Sequence, residues 1–218
     1  MRIAMISEHA SPLAALGGAD GGGQNVYVAQ VSRHLAARGH QVDVFTRRDQ
    51  TALPAHVTIA RGVRVIHVPA GPPQRVRKEE LLPHMEEFSR YLAAWCQQHE
   101  HYDLVHAHFF LSALVAAELK QALGMPFVVT FHALGRVRRL HQRSVDEFPA
   151  EREAIEERAV READCVLAEC PQDQLDLVRL YGADRRRVEM VPCGYDAEEF
   201  SPRPREEARR ALGWNLDE

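Results

Sequence analysis

The sequence lacks the features that mark several large protein classes. It has no apolar run near the roughly 18 to 20 residues of a membrane-spanning helix, and its N-terminus lacks the basic segment, apolar segment and cleavage site of a secretory signal. The formal net charge of −4 gives no general attraction to nucleic acid or to an anionic membrane, and basic residues are not interleaved with aromatic ones. We therefore predict a cytoplasmic protein with no membrane span and no nucleic-acid partner.

Cysteine is scarce, and its spacing gives no sign of a metal site. The four cysteines are Cys96, Cys165, Cys170 and Cys193, and none belongs to a C-x-x-C pair. Buried free thiols in a reducing compartment are favoured over zinc ligands or disulfides. We expect Cys165 and Cys170 to pack in the core, and we expect no metal.

The composition is that of a globular domain with a sizeable core, with 45% hydrophobic and 27% charged residues. Strand-like apolar stretches alternate with helical patterns, and most of the strands are continuously apolar. This alternation predicts an α/β fold of the Rossmann-like, three-layer αβα type, whose mostly parallel sheet is covered on both faces. The predicted strands are 1–7, 41–46, 57–59, 63–68, 103–108, 127–132, 165–168 and 188–191, and the later helices are about 78–98, 111–123, 149–162 and 172–181.

The C-terminal tail differs from the rest of the chain. Residues 1–200 are predicted to form one domain. Residues 201–218 begin with a serine and two prolines and then become charged, which predicts a linker entering a helix. We expect the natural chain to continue from there into a second domain.

A glycine-rich loop follows the first strand. Five of the seven residues from Gly17 to Gly23 are glycine, and a helix with apolar Val28, Val31 and Leu35 follows. A glycine loop between a strand and a helix N-terminus is suited to bind phosphate, because free backbone amides and the helix dipole point at the ligand. The alternative is a flexible surface loop that is merely rich in glycine.

The main rival for such a loop is a nicotinamide dinucleotide site. The G-x-G-x-x-G fingerprint is absent, because Gly23 is followed by Gln24 and Asn25. The second strand ends in Arg47 and Arg48 rather than in the acidic residue that binds ribose hydroxyls. Since arginines tolerate a 2′-phosphate, an NADP-binding oxidoreductase domain stays open as an alternative.

Other polar residues follow the predicted strands, where ligands of parallel sheets bind. His132 ends a strand and is a candidate acid, base or hydrogen-bond donor. His106 and His108 share one face of a strand and are predicted to be hydrogen-bonded core residues rather than metal ligands. Residues 136–143 are predicted to form a long basic connection that is mainly solvated surface, with contact of one arginine to phosphate as the alternative. The same edge is expected to hold residues 17–25, 47–48, 71–78, 108–109, 132–139, 169–170 and 194–195.

Seven stretches together resemble retaining glycosyltransferases of family 4, which have the two-domain GT-B architecture. The stretches are GGQNVYV (22–28), RGHQVDVFT (38–46), AGP (70–72), KEEL (78–81), DLVHAH (103–108), FHALG (131–135) and VPCGYD (191–196). In order and spacing they are most similar to the branch that contains D-inositol-3-phosphate glycosyltransferase and sucrose-phosphate synthase.

The resemblance implies that this chain is the N-terminal, acceptor-binding half of a hexosyltransferase that uses a UDP- or GDP-sugar and no essential metal or other cofactor. The nucleotide sugar would be held mainly by the chain's own C-terminal domain, so the fragment alone would turn over little. Retention at the anomeric carbon is implied, with a leaving diphosphate oxygen helping to deprotonate the acceptor. The implied site residues are His132 beside the transferred sugar, Gly22 and Gly23 at the donor diphosphate, and Asn25, Lys78, Phe109, Ala133 and Arg152 at the acceptor.

Two departures from the branch concern the acceptor. Phe109 stands where a tyrosine is usual, and Ala133 stands where a threonine is common, so two hydroxyl groups are missing from the implied phosphate site. The acceptor is therefore expected to be a polar molecule, phosphorylated or not, and acceptors other than inositol phosphate stay open. A non-catalytic carbohydrate- or phosphate-binding module is the remaining alternative.

Overall fold

A computed structural model of the protein describes residues 1–14, 22–99, 101–142 and 147–215. Its centre is one eight-stranded sheet in the order β3-β4-β2-β1-β5-β6-β7-β8. Every neighbouring pair is parallel except β3 and β4, which are antiparallel. The predicted α/β class and mostly parallel sheet are confirmed.

The strands and helices alternate along the chain. The strands are β1 (Arg2–Ile6), β2 (Gln41–Arg47), β3 (His56–Ala60), β4 (Val63–Val68), β5 (Leu104–His108), β6 (Phe127–Thr130), β7 (Cys165–Ala168) and β8 (Val188–Met190). The helices are α1 (Gly23–Ala37), α2 (Met85–Gln98), α3 (Phe110–Leu123), α4 (Gly135–Gln142), α5 (Arg152–Glu162), α6 (Pro171–Tyr181) and α7 (Arg205–Ala211).

Two apolar clusters hold the helices against the sheet. The smaller lies between α1 and the strands β1, β2 and β4, with Met5, Val28 and Val44 fully buried in it. The larger lies on the opposite face and joins α2, α3, α5 and α6 to the sheet. Helices α3 and α6 end at Gly124 (φ 70°) and Gly182 (φ 64°), where the left-handed conformation that stops a helix costs glycine little.

Coverage of the sheet is less even than predicted. On β6 and β7, Val129 and Val166 are buried under the helices of the larger cluster. Their neighbours on the other face, Val128, Cys165 and Leu167, are only half-buried. This face of β6 and β7 is therefore less deeply buried than the opposite one, because α1 packs over β2 and β4.

The largest local difference is α4. The chain from Gly135 to Gln142 is a helix, where the sequence predicted a long basic connection. Its arginines pair with the carboxylates of α5, since Arg136 and Arg139 both contact Glu153. These partners come from another element, so the local pattern of charges did not reveal the helix.

The C-terminal stretch is exposed. Helix α7 has no buried residue, and its ion pair joins Arg210 to Glu206 within the same helix. The proposed boundary near residue 200 stays a prediction. Among the described residues, no helix is both long enough and apolar enough to cross a membrane.

Candidate functional site

The N-terminus of α1 opens toward the carboxyl edge of the sheet. Gly22 precedes the helix in an extended conformation. Its N–H donates to the side-chain oxygen of Asn25 at 3.0 Å, and the Asn25 amide nitrogen donates to the carbonyl of Ser11 at 2.9 Å. Asn25 is buried, so its main visible role is to hold the turn. Its contact with an acceptor stays a prediction.

The two glycines at this turn leave open space. A Cβ atom added to Gly22 or Gly23 would meet no atom of the described residues within 4 Å. Packing therefore does not require glycine there, and the backbone is open to a ligand. The remaining glycines of the predicted loop, from Gly17 to Gly21, lie outside the described residues.

His132 lies just beyond the end of β6 and is held on both ring nitrogens. Its Nδ1 lies 3.2 Å from the Glu169 carboxylate, and its Nε2 lies 3.0 Å from Nδ1 of His108. The edge of the ring also meets Tyr27, with 5.0 Å between the ring centroids. The backbone of His132 has φ 59°, which is strained for a residue with a side chain. Several independent contacts thus fix the orientation of this ring.

The other two histidines of the site are internal. His106 contacts the Thr130 hydroxyl at 3.0 Å, and both His106 and His108 are buried. Burial, followed by the charge of His132, lowers the pKa of His106 to about 3. Burial, followed by the neighbouring histidines, also holds the pKa of His108 well below its usual value. Both rings are therefore neutral near pH 7, and the prediction of hydrogen-bonded core histidines is confirmed.

A cavity of about 660 Å³ lies against His132. It separates α1 from the stretch 193–200, which passes over the carboxyl edge of the sheet. Three carboxylates and several aromatic rings line it, so it suits a polar, hydroxyl-bearing ligand. The lining includes Gly23, Gln24, Tyr27, His132, Glu169, Tyr195, Asp196, Glu199 and Phe200.

Glu169 and Cys193 form the side of this cavity next to His132. The Cys193 thiol donates to Oε1 of Glu169 at 3.3 Å. Burial acts to raise the pKa of Glu169, but the hydrogen bond and charge of His132, helped by the thiol, hold that pKa below its usual value. Burial and Glu169 raise the pKa of Cys193 to about 11. Cys193 is exposed, so the prediction of buried thiols is wrong for this residue.

Arg152 occupies a second, closed part of the site. Its Nε contacts Glu156 at 2.8 Å and its Nη2 donates to the carbonyl of Ala133 at 2.7 Å. The side chain is 2% exposed, and Nη1 has no hydrogen-bond partner among the described residues. The guanidinium carbon lies 4.4 to 5.0 Å from three phenyl rings, those of Phe109, Phe110 and Phe148.

Glu156 anchors this arrangement. Its carboxylate accepts hydrogen bonds from Gly135 N–H at 3.0 Å and from the Tyr181 hydroxyl at 2.5 Å, in addition to Arg152. Burial raises the pKa of Glu156, and Arg152 acts against this rise. The face of α5 that carries Arg152 and Glu156 is buried.

Phe109 joins the two parts of the site. It lies between β5 and α3 with φ 80°, a strained value for phenylalanine. Its ring packs against His9 with 5.0 Å between centroids, and against the Arg152 guanidinium. Ala133 is exposed and directly follows His132. The structure therefore brings Phe109, Ala133 and Arg152 together, next to His132.

Lys78 begins a single turn of 3-10 helix, Lys78–Glu80, and is half-buried. The preceding residue, Arg77, contacts Glu147, which lies shortly before Arg152 in the chain. This ion pair ties the turn to the segment leading into α5. No ion pair of Lys78 itself occurs within the described ranges.

Glu8 and His9 are among the site residues that the sequence did not reveal. Glu8 follows β1 and is fully buried, where its carboxylate contacts Ser112 of α3 and lies 2.6 Å from Nδ1 of His9. His9 in turn packs on Phe109. Their place directly after the first strand was the available signal, since ligands of parallel sheets bind beyond strand ends.

The family of the chain follows from sequence comparison. The family model described as Glycosyltransferase Family 4 matches residues 21–199. The chain belongs to glycosyltransferase family 4. Among curated family 4 relatives, the D-inositol 3-phosphate glycosyltransferase of Geodermatophilus obscurus is 42% identical over 97% of this chain and 48% of its own length. That of Kribbella flavida is 41% identical over 99% of this chain and 52% of its own length.

Solved structures of similar proteins agree with this assignment. A sucrose-phosphate synthase from Thermosynechococcus elongatus is 31% identical with a TM-score of 0.90, covering 100% of this chain and 53% of its own. Anabaena HepE, solved with UDP and glucose, is 16% identical with a TM-score of 0.59, covers 98% of this chain and 50% of its own, and shows the shared fold alone. The chain spans about half the length of the curated relatives it matches. The family match does not favour an oxidoreductase.

Proposed function

We propose that this chain forms the acceptor-binding side of the active site of a retaining glycosyltransferase. The reaction is transfer of a hexosyl group from a nucleotide sugar to a hydroxyl group of a polar acceptor, phosphorylated or not. Membership of family 4 and the names of the relatives support this proposal. The coverage of about half of each relative supports a division of labour, in which a further domain holds most of the nucleotide.

The observation that carries the proposal is that Gly23 and His132 line one cavity at the carboxyl edge of the sheet. In the proposed reaction, the donor diphosphate approaches the open backbone at Gly22 and Gly23. Since the Gly22 N–H is bonded to Asn25, the amides that follow it and the positive end of α1 stabilise the charge that develops on the leaving diphosphate. Such stabilisation is usually the largest catalytic contribution. His132 is the residue placed beside the transferred sugar.

The acceptor is proposed to bind near Arg152. A buried guanidinium whose Nη1 group has no partner among the described residues loses several kcal/mol of hydration unless a ligand replaces the water. An oxygen of the acceptor fits this requirement, and Lys78 on the adjoining turn supplies a second positive charge. Asn25, Phe109 and Ala133 complete the proposed acceptor surface, with fewer hydroxyl donors than the resemblance implies for inositol phosphate.

Neither a metal nor a further cofactor has a role in this proposal, since the UDP- or GDP-sugar is a substrate. The cytoplasm is the proposed compartment, which agrees with four free thiols that include the exposed Cys193.

The acceptor assignment is tested by titrating inositol 3-phosphate and myo-inositol into the chain by calorimetry. We expect weak binding, with a Kd near 1 mM, about −4 kcal/mol. Lys78→Met should weaken binding of the phosphate about tenfold, which is about 1.4 kcal/mol, whereas Arg90→Met on the exposed face of α2 should change nothing. Equal binding by wild type and Lys78→Met would exclude Lys78 from the acceptor site.

A further inference from the structure

The carboxylate of Glu169 connects the cavity wall to His132. Glu169 directly follows β7, and its backbone N–H donates to the Asp173 carboxylate at 3.2 Å. Its Oε1 accepts from the Cys193 thiol at 3.3 Å and lies 3.2 Å from Nδ1 of His132. The side chains of His132 and Glu169 are 13% and 19% exposed. The carboxylate thus lies between the Cys193 thiol and one nitrogen of the His132 ring.

His108 restricts where the protons of this cluster reside. Its Nδ1 faces Nε2 of His132 at 3.0 Å, while its own Nε2 is buried without a partner among the described residues. A buried polar group without a partner costs about 1–3 kcal/mol, and orphaned buried N–H groups are rarer in proteins than acceptors with an unused lone pair. The neutral His108 ring therefore carries its proton on Nδ1 and donates it to Nε2 of His132.

The proton of a neutral His132 must then lie on Nδ1. With Nε2 accepting from His108, Nδ1 is the only remaining ring nitrogen, and it faces the negative oxygen of Glu169. An N–H bond to a carboxylate is roughly twice as strong as a bond to a neutral acceptor. A bare Nδ1 would instead place two lone pairs against each other at 3.2 Å.

We propose that Glu169 is a positioning residue, which holds the proton of His132 on Nδ1 and fixes the ring against the wall of the cavity. The Cys193 thiol holds Glu169 in turn. The role of His132 beside the sugar rests on the proposed function, whereas the placement of the proton does not. Without the carboxylate, the His132 ring can rotate and break its hydrogen bond with His108. The side of the cavity formed by His132 is then no longer held in one orientation.

The test is nuclear magnetic resonance of the chain with 15N-labelled histidine, with His132 assigned through a His132→Gln variant. In the wild type we expect a protonated Nδ1 on His132, with a low-field Nδ1–H signal that exchanges slowly. Glu169→Gln should move that signal upfield or remove it by rapid exchange, because the neutral amide is the weaker acceptor. Asp176→Asn on α6 removes the same charge without contacting His132 and should leave the signal unchanged.

A wild-type His132 protonated only on Nε2 overturns the proposal without any variant, so the test does not depend on the folding of Glu169→Gln. A signal that Glu169→Gln leaves unchanged also overturns it. These outcomes do not depend on sugar transfer. If the transferase proposal is wrong, the spectra should still show the proton of His132 on Nδ1. If the spectra instead show that proton on Nε2, the transferase proposal is unaffected.

Discussion

The buried histidines make the stability of the fold depend on pH. His106 is within the sheet layer, bonded to Thr130 and stacked beside His108, with 4.1 Å between the ring centroids. Burial is the main reason that its folded pKa is lowered to about 3, from 6.5 in the unfolded chain, and the charge of His132 adds to it. Acid protonates the unfolded chain first and thereby favours unfolding.

The size of this effect follows from proton linkage. Stability contributed by the neutral ring is fully present above pH 6.5, and it falls as the pH decreases toward the folded value of about 3. Within this window, each unit by which the pH decreases lowers the free energy of unfolding by about 1.4 kcal/mol per histidine of this kind. Between pH 7.5 and pH 5, His106 alone should lower the free energy of unfolding by about 2 kcal/mol.

The assay compares urea unfolding at pH 7.5 and pH 5, followed by circular dichroism. The variant His106→Gln replaces the ring with an uncharged side chain, so its stability should fall about 2 kcal/mol less than that of the wild type over this interval. The control is His101→Gln, at an exposed position, which should fall with the wild type. A parallel fall in wild type and His106→Gln would refute the reasoning.

Two further predictions concern the Arg152 cluster and use the same unfolding measurement. Arg152→Met should lower the free energy of unfolding by about 3–5 kcal/mol, because it leaves Glu156 buried without its cation. The double variant with Glu156→Gln should lose less stability than the sum of the two single variants. Strict additivity of the two losses would count against a coupled pair. Gly135→Ala should lower the free energy of unfolding by about 1–3 kcal/mol, because the new Cβ would lie 2.9 Å from a Glu156 oxygen and 3.0 Å from Arg152 Nε. Gly23→Ala is its control and should change stability by less than about 1 kcal/mol, since its Cβ meets no described residue within 4 Å. Equal losses of stability for the two alanines would show that crowding is not the cause.

The fold was predictable because local patterns determine it. Continuous apolar strands alternating with helices require a parallel sheet, and glycines such as Gly124 and Gly182 end helices where the sequence places them. Helix α4 was not predictable in this way, because its arginines are stabilised by carboxylates of α5 that follow later in the chain.

The site was predictable only as a set of strand ends. The position of His132 after β6 followed from the sequence, but its bonds to His108 and Glu169 join three different strand ends. The pairing of Glu8 with Ser112 spans 104 residues, and no local pattern reveals such a partner. Arg152 was assigned by resemblance, and its burial among three phenyl rings depends on side chains from both α3 and the segment before α5.

The central claim is that this chain holds the acceptor side of a sugar transferase and contributes little to nucleotide binding. The most direct measurement is calorimetric titration of this chain with UDP-glucose, GDP-glucose and inositol 3-phosphate under one set of conditions. We expect that neither nucleotide sugar binds with a Kd below about 1 mM, about −4 kcal/mol, and that any measurable heat comes from inositol 3-phosphate. Micromolar binding of either nucleotide sugar by this chain alone would contradict it.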